Sequence, residues 1–342
     1  MFSHKTLSRG DRHISLGTNV LYSAATLVGI LSQRLTNPDS IVAVPSFIDA
    51  LAERLAAAKS VGDLGAGLWA LCLAGDSRST EFAKRIARSG TVTSSTTMEL
   101  GLALTGLAEH TASGSGSSET ASAAERIAVE LDGRFGKESR VFAATAQRSH
   151  LIPDGRYTSF ASQVYPLHGL AKWQAISGHD YSAVLEAGAD TLVSNQGPLG
   201  QWWWFYSTVD GSALEGYPVY SVHQDAMAFM ALEPIRHVGG PDHRAALARG
   251  LHWMFGANEL GEQMYTEKPP MLYRCIQRRG SDADGFAGMR KRDRPLLALR
   301  SYLPASARQT RQAPAEKLEV LMEVRSYHLG WLLYSTSLIA GG

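Results

Sequence analysis

The chain of 342 residues predicts an all-α fold, an α/α toroid of about six helical hairpins with an inner helix ring inside an outer one. Three observations point there. Strand-like alternation is scarce, while apolar residues recur at helical spacing over most of the length. Apolar helical segments near 20–33, 62–75, 97–110, 159–178, 222–239 and 325–340 alternate with more amphipathic ones. Those apolar segments place Gly and Ala among large apolar residues on nearly every face, which demands burial on all sides. Concentric rings meet that demand, whereas the helices of a simple bundle are two-faced.

The elements follow in order. Residues 20–33 place Leu21, Ala24, Ala25, Val28 and Leu31 on one helical face. Ser46 with Asp49 reads as a capping box opening a helix that ends near Lys59. The nearly all-apolar segment 62–75 is followed by a polar partner at 79–89. Thr96 with Glu99 forms another box, opening 97–110. Residues 111–118 (TASGSGSS) predict a flexible linker. Ser122 with Glu125 supports a polar helix at about 119–133, followed by a shorter one at 139–149. The next apolar helix, 159–178, carries Pro166 near its start or at a kink, and Asp180 caps a polar helix at 181–195. Pro234 should bend or end the helix at 222–239 early, and 242–256 is its outer partner. Residues 257–316 predict an irregular basic loop region holding Arg274, Arg278, Arg279, Arg290, Lys291, Arg292, Arg294 and Arg300. A final helix runs from about 316 to 340. The segments Leu68-Trp69-Ala70-Leu71, Leu102-Ala103-Leu104, Leu170-Ala171-Lys172-Trp173 and Gly330-Trp331-Leu332-Leu333 resemble degenerate copies of one inner face. The expected organisation is one toroid domain over 1–342, with a division at 111–118 as the alternative.

Composition excludes several classes. An apolar share of 44% with 19% charge is that of an ordinary globular protein, and a formal net charge of +1 predicts no nucleic-acid partner. Cys72 and Cys275 are too few for a disulfide framework, which suggests a reducing, cytoplasmic setting. No uncharged apolar run reaches the ~18 residues a membrane span requires, so no stable membrane insertion is expected.

Potential chemistry concentrates at 195–230. Trp202, Trp203, Trp204, Phe205 and Tyr206 are consecutive, and no helical period buries them on one face, so several should line or cap a cavity. Gln196, Gly200 and Trp202, with Leu192 upstream, resemble the QxxxGxW repeat of the terpene cyclase and protein prenyltransferase toroids, where the motif ties an outer helix to the next inner one. The aromatic loops between helices, and the helix starts rich in Tyr and His, also resemble the six-hairpin glycan-active enzymes. These likenesses imply a central funnel whose open end is formed by the loops entering the inner helices.

In such a funnel Trp202, Trp203, Trp204 and Tyr206 would stack a sugar or wall an isoprenoid cavity, or else form a mini-core of their own. Glu215, His223 and Asp225 are the candidate proton carriers, with Tyr217 and Tyr220 as partners: Glu215 because desolvation among rings disfavours a carboxylate's ionised form, and His223 as a shuttle oriented by Asp225 or Glu215. A surface glutamate, a core histidine and an aspartate placed by the helix dipole are the corresponding structural readings. Tyr165, His168 and Gln224 complete the expected mouth. Arg325 and His328 interrupt an apolar helix, and Arg325 could hold a carboxylate, since pairing with Glu323 is geometrically poor within one helix.

There is no HExxH, no clustered Cys/His spacing, no P-loop and no dinucleotide fingerprint after a strand. The DxDD and DDxxD motifs of terpene cyclases are absent, Asp282-Ala283-Asp284 being the nearest approach. The leading expectation is a metal-independent, cofactor-free acid/base enzyme acting on an anionic saccharide as hydrolase, lyase or epimerase. An unusual isoprenoid cyclase and a non-catalytic interaction toroid are the alternatives.

Overall fold

The computed structural model describes residues 1–9, 12–36, 44–146, 155–268, 270–281, 298–303 and 313–340. In chain order the helices are α1 (Val20–Thr36), α2 (Pro45–Ala57), α3 (Val61–Leu73), α4 (Ser79–Ala87), α5 (Thr97–His110), α6 (Ser118–Arg134), α7 (Ala161–Ser177), α8 (Ser182–Ser194), α9 (Ala228–His237), α10 (Arg244–Met254) and α11 (Ser326–Ala340). A π-helical turn, His223–Met227, leads directly into α9. The odd-numbered helices form a closed ring, each packed on the next and α11 returning to α1. Outside it, α2 bridges α1 and α3, α4 bridges α3 and α5, α6 bridges α5 and α7, α8 bridges α7 and α9, and α10 lies on α9 and its π-turn. The expected α/α toroid is therefore the observed fold.

Ring closure depends on how closely neighbouring backbones approach. A Cβ added at Gly330 on α11 would lie 2.4 Å from the Ala25 carbonyl oxygen on α1, and one at Gly101 on α5 would lie 2.4 Å from the Tyr165 carbonyl carbon on α7. Glycine is therefore required at both contacts, which explains the small residues inside otherwise apolar segments. Fully buried Trp69 and Trp331 then fill the ring, with ring centroids 5.5 Å apart.

The Thr96–Glu99 capping box is present, and Glu99 also accepts a hydrogen bond from the Ser60 hydroxyl at 2.6 Å, joining the starts of α3 and α5. Other expectations require correction. α2 begins at Pro45 after Val44 with no side-chain cap, so Ser46 and Asp49 are not its box; proline supplies the first-turn geometry instead. The box of α6 is Ser117 with Thr120, upstream of Ser122 and Glu125, and 111–115 is a π-turn continuing α5. Residues 139–146 are turns around a Phe135–Phe142 bridge, not a helix. Tyr181 is the N-cap residue of α8, although an Asp180 oxygen accepts from the Ser182 amide at 2.9 Å. α9 continues past Pro234 to His237.

The largest difference concerns strands. β1 (Ser3–Arg9) and β2 (Arg12–Thr18) form a hairpin, and β3 (Tyr157–Ser159), β4 (Phe205–Ser207) and β5 (Ala213–Glu215) form a second sheet. β6 (Val219–Tyr220), β7 (Tyr265–Glu267), β8 (Pro270–Leu272), β9 (Cys275–Arg278), β10 (Leu318–Leu321) and β11 (Glu323–Val324) follow. β9 lies between β10 and β6, and β11 pairs with β1. The last helix therefore starts at Ser326 rather than near 316, because residues 318–324 pair across the chain. The expectations for 147–149, Asp282, Asp284, Arg290, Lys291, Arg292 and Arg294 lie outside the described residues. No described helix is long and apolar enough to cross a membrane.

Candidate functional site

The sheet β10–β9–β6 delivers the chain to the end of the ring where the inner helices begin. β6 runs into the π-turn, which packs against α11 and carries His223, Gln224 and Asp225, all buried. His328, on the first turn of α11, places Nε2 at 2.9 and 2.8 Å from the two Asp225 carboxylate oxygens. An aspartate oxygen accepts, so the network assigns the hydrogen to Nε2. Among the described residues nothing bonds Nδ1, which in the neutral imidazole is the lone-pair nitrogen.

His223 lies between Phe160 and Tyr220, at centroid distances of 4.5 and 5.3 Å. Burial pushes its imidazole down to about 3, so it is neutral across the ordinary pH range. Burial raises the Tyr220 phenol well above its usual value, keeping it protonated. The Arg274 guanidinium lies 5.4 Å from the Tyr220 ring centroid, and Arg274 Nε and the Tyr220 hydroxyl are buried without a hydrogen-bond partner.

Beside them Glu323 accepts from both Arg274 and Arg325 at 2.5 Å, and Lys5 Nζ lies 3.9 Å away. Arg325 Nη1 also donates to His4 Nε2 at 2.8 Å, while His4 and Tyr327 pack on Tyr22. Arg325 thus lies at the mouth, yet its pairing with Glu323 is close, contrary to expectation. Both residues precede α11, so helical spacing does not govern them. The residues missed from sequence are His4, brought beside Arg325 by the β1–β11 pairing, and Tyr22 on the first turn of α1, brought there by the packing of α1 on α11.

Glu215 and Tyr217 form a separate group. Glu215 is ion-paired with Arg300 and lies 4.0 Å from Arg278, whose guanidinium is 5.4 Å from the Tyr217 ring centroid. The Tyr217 hydroxyl donates to Glu259 at 3.1 Å, another partner that sequence spacing did not signal. Trp204 joins the two groups, stacking on Phe205 at 4.4 Å and meeting Tyr220 edge-on at 4.9 Å.

Several expected ligand contacts are structural. Trp202, Trp203 and Tyr206 are 0, 2 and 0% exposed, so they offer no open stacking face. A Cβ added at Gly250 on α10 would lie 2.5 Å from Trp202 Nε1, which places that indole inside the wall between rings. Gln224 is engaged at both ends, accepting from the Trp202 amide and donating to the Tyr220 carbonyl, each at 3.0 Å. Tyr165 is buried, its hydroxyl accepting from Trp331 Nε1 at 3.0 Å. His168 lies deeper, between Thr105 at 3.1 Å and Tyr334 at 2.9 Å. Thr105 donates onward to the Gly101 carbonyl, so both ring nitrogens of His168 are engaged within the ring interior. Lys172 is paired with Glu109.

Among the described residues no group of three or more His, Cys, Asp and Glu could hold a metal ion. A separate cavity of about 620 Å³ lies between the α6–α7 connection and Thr208–Val209, lined in part by Lys137, Glu138 and Arg156.

The two concentric helix rings define the chain as an α/α-toroid protein. No family model matches it, and no curated relative was found. A solved structure from Salmonella enterica subsp. enterica serovar Paratyphi A, described as a possible member of the GH105 family, matches with a TM-score of 0.60 at 12% identity, covering 98% of this chain and 88% of that one. A polysaccharide lyase matches with a TM-score of 0.60 at 10% identity, covering 95% and 91%. At these identities the likeness establishes the toroid fold.

Proposed function

We propose that the protein is an acid/base enzyme that moves a proton beside a carboxylate on a saccharide, as a lyase or epimerase does. The observation that carries this reading is the buried Asp225–His328 pair with its unbonded Nδ1. Asp225 holds hydrogen on Nε2, which leaves Nδ1 to take a proton from carbon. Tyr220, kept protonated by burial, is the donor on the other side. Arg274 and Arg325 would receive the substrate carboxylate and stabilise the charge that develops there. Hydrolysis by two carboxylates fits less well, since Asp225 is tied to His328 whereas Glu215 is tied to Arg300 and Arg278. The glycan-related names of two fold relatives agree with this substrate class.

An isoprenoid cavity would be almost wholly apolar. Here Arg274, Arg325 and Glu323 lie together near the Asp225–His328 pair, which favours a sugar. The test is turnover of a panel of uronate-containing oligosaccharides. Product formation with a change in Trp fluorescence on binding is expected; neither response across the panel overturns the reading.

A further inference from the structure

We propose that Arg279 and Lys317, beside Arg278, form a subsite for a second anionic substituent on the saccharide, either a sulfate ester or a further carboxylate. The inference rests on the saccharide reading above and names a substrate feature that reading does not require.

The argument follows the strand register. β6 and β9 pair Tyr220 with Cys275 and Val219 with Ile276, so the next positions outward bring Tyr217 and Arg278 together. β9 and β10 pair Arg278 with Leu318, which carries the line on to Arg279 and Lys317. The path therefore leaves the proton-transfer pair at Tyr220, passes Tyr217 about 10 Å further along the strand, and ends on two cations.

Arg279 donates its amide to the Lys317 carbonyl at 2.9 Å and its Nε to the Glu316 carbonyl at 3.0 Å. The guanidinium is thus held against the strand end that also carries the exposed Lys317 side chain. With Arg278 and Glu316 they line a groove of about 330 Å³, three cations against one carboxylate. Neither Arg279 nor Lys317 forms an ion pair among the described residues. Arg278, in contrast, is near Glu215 and Tyr217. Cations that outnumber the carboxylate beside them among the described residues, next to a binding path, suit an oxyanion. A glycan extending from the mouth would bring one there on its neighbouring sugar.

The experiment compares wild type with the Arg279→Ala/Lys317→Ala double variant; Arg278, which touches the candidate machinery, is left intact. Affinities are measured by calorimetry for an unsubstituted uronate disaccharide, its O-sulfated form, a trisaccharide with a second uronate, and inorganic sulfate. The double variant is expected to lose about tenfold in affinity for one or both anion-bearing ligands. The unsubstituted disaccharide should be unaffected, with kcat unchanged. Whether the sulfated or the second-uronate ligand loses more identifies the anion. Equal affinities of wild type and variant for both anion-bearing ligands overturn the subsite, although the proposed function stands if the disaccharide is turned over. If no saccharide is bound, the proposed function fails. Sulfate bound by wild type and lost in the variant then still supports the anion site, and sulfate bound by neither overturns it.

Discussion

Asp225→Asn is expected to lower kcat about 10²–10⁴-fold on whichever uronate saccharide the wild type turns over. The physical reason is a tautomer. Asn at 225 can present an amide N–H to His328 Nε2, which would place the imidazole hydrogen on Nδ1 and abolish the lone pair that takes the substrate proton. The Asp225 and His328 side chains are 3 and 4% exposed, so water cannot readily substitute for the missing carboxylate. A positioning role predicts a fall in kcat with little change in KM. His223, which burial holds neutral down to about pH 3, adds no protonation change above that. Retained near-ultraviolet circular dichroism would establish that the variant folds. Activity within threefold of wild type in a folded Asp225→Asn protein would remove His328 from the mechanism.

Glu323→Ala is expected to reduce stability by about 3–5 kcal/mol in urea unfolding, the range for breaking a buried ion pair from one side. Glu323 accepts from two guanidinium groups, and the exposures of the Glu323, Arg274 and Arg325 side chains are 3, 10 and 6%. Removing it leaves both cations in a partly desolvated site with their closest counter-charge gone. The same carboxylate ties β11 to β9 and positions Arg325 at the start of α11, so ring closure weakens together with the anion-receiving cluster. A loss below about 1 kcal/mol would show that water or rearranged partners satisfy the guanidinium groups. The proposed carboxylate receiver would then lack its fixed geometry.

How much of this was legible before folding differs between the rings and the mouth. Inner helices are readable because burial on all sides forces apolar, Gly-rich sequence, as in 62–75 and 97–110, and no polar residue masks the period. Short strands are not. β1 and β2 are largely polar, and beyond their own hairpin β1 pairs with Glu323 and Val324 more than three hundred residues away. Because β11 was read as helix, Arg325 and Glu323 seemed unable to pair, and His4 was invisible as a neighbour.

The site residues divide along the same line. Asp225, His223 and Tyr220 were visible as chemistry-bearing residues at a helix start, and Arg325 and His328 as polar interruptions in an apolar helix. Their mutual geometry was not, since it depends on α11 meeting the π-turn across the ring. The tryptophan run misled for a simple reason: consecutive rings cannot share one helical face, but a loop threading between two helix layers can bury them alternately on both sides. Trp202 occupies such a wall position beside Gly250, where only a residue without Cβ leaves room for the indole.

A structure with a uronate saccharide bound tests the central claim most directly. The account predicts a sugar carbon within about 3–3.5 Å of His328 Nδ1, with its carboxylate on Arg274 and Arg325. A saccharide bound instead in the cavity of about 620 Å³ beside Lys137 and Arg156, with the His328 mouth empty, would contradict it.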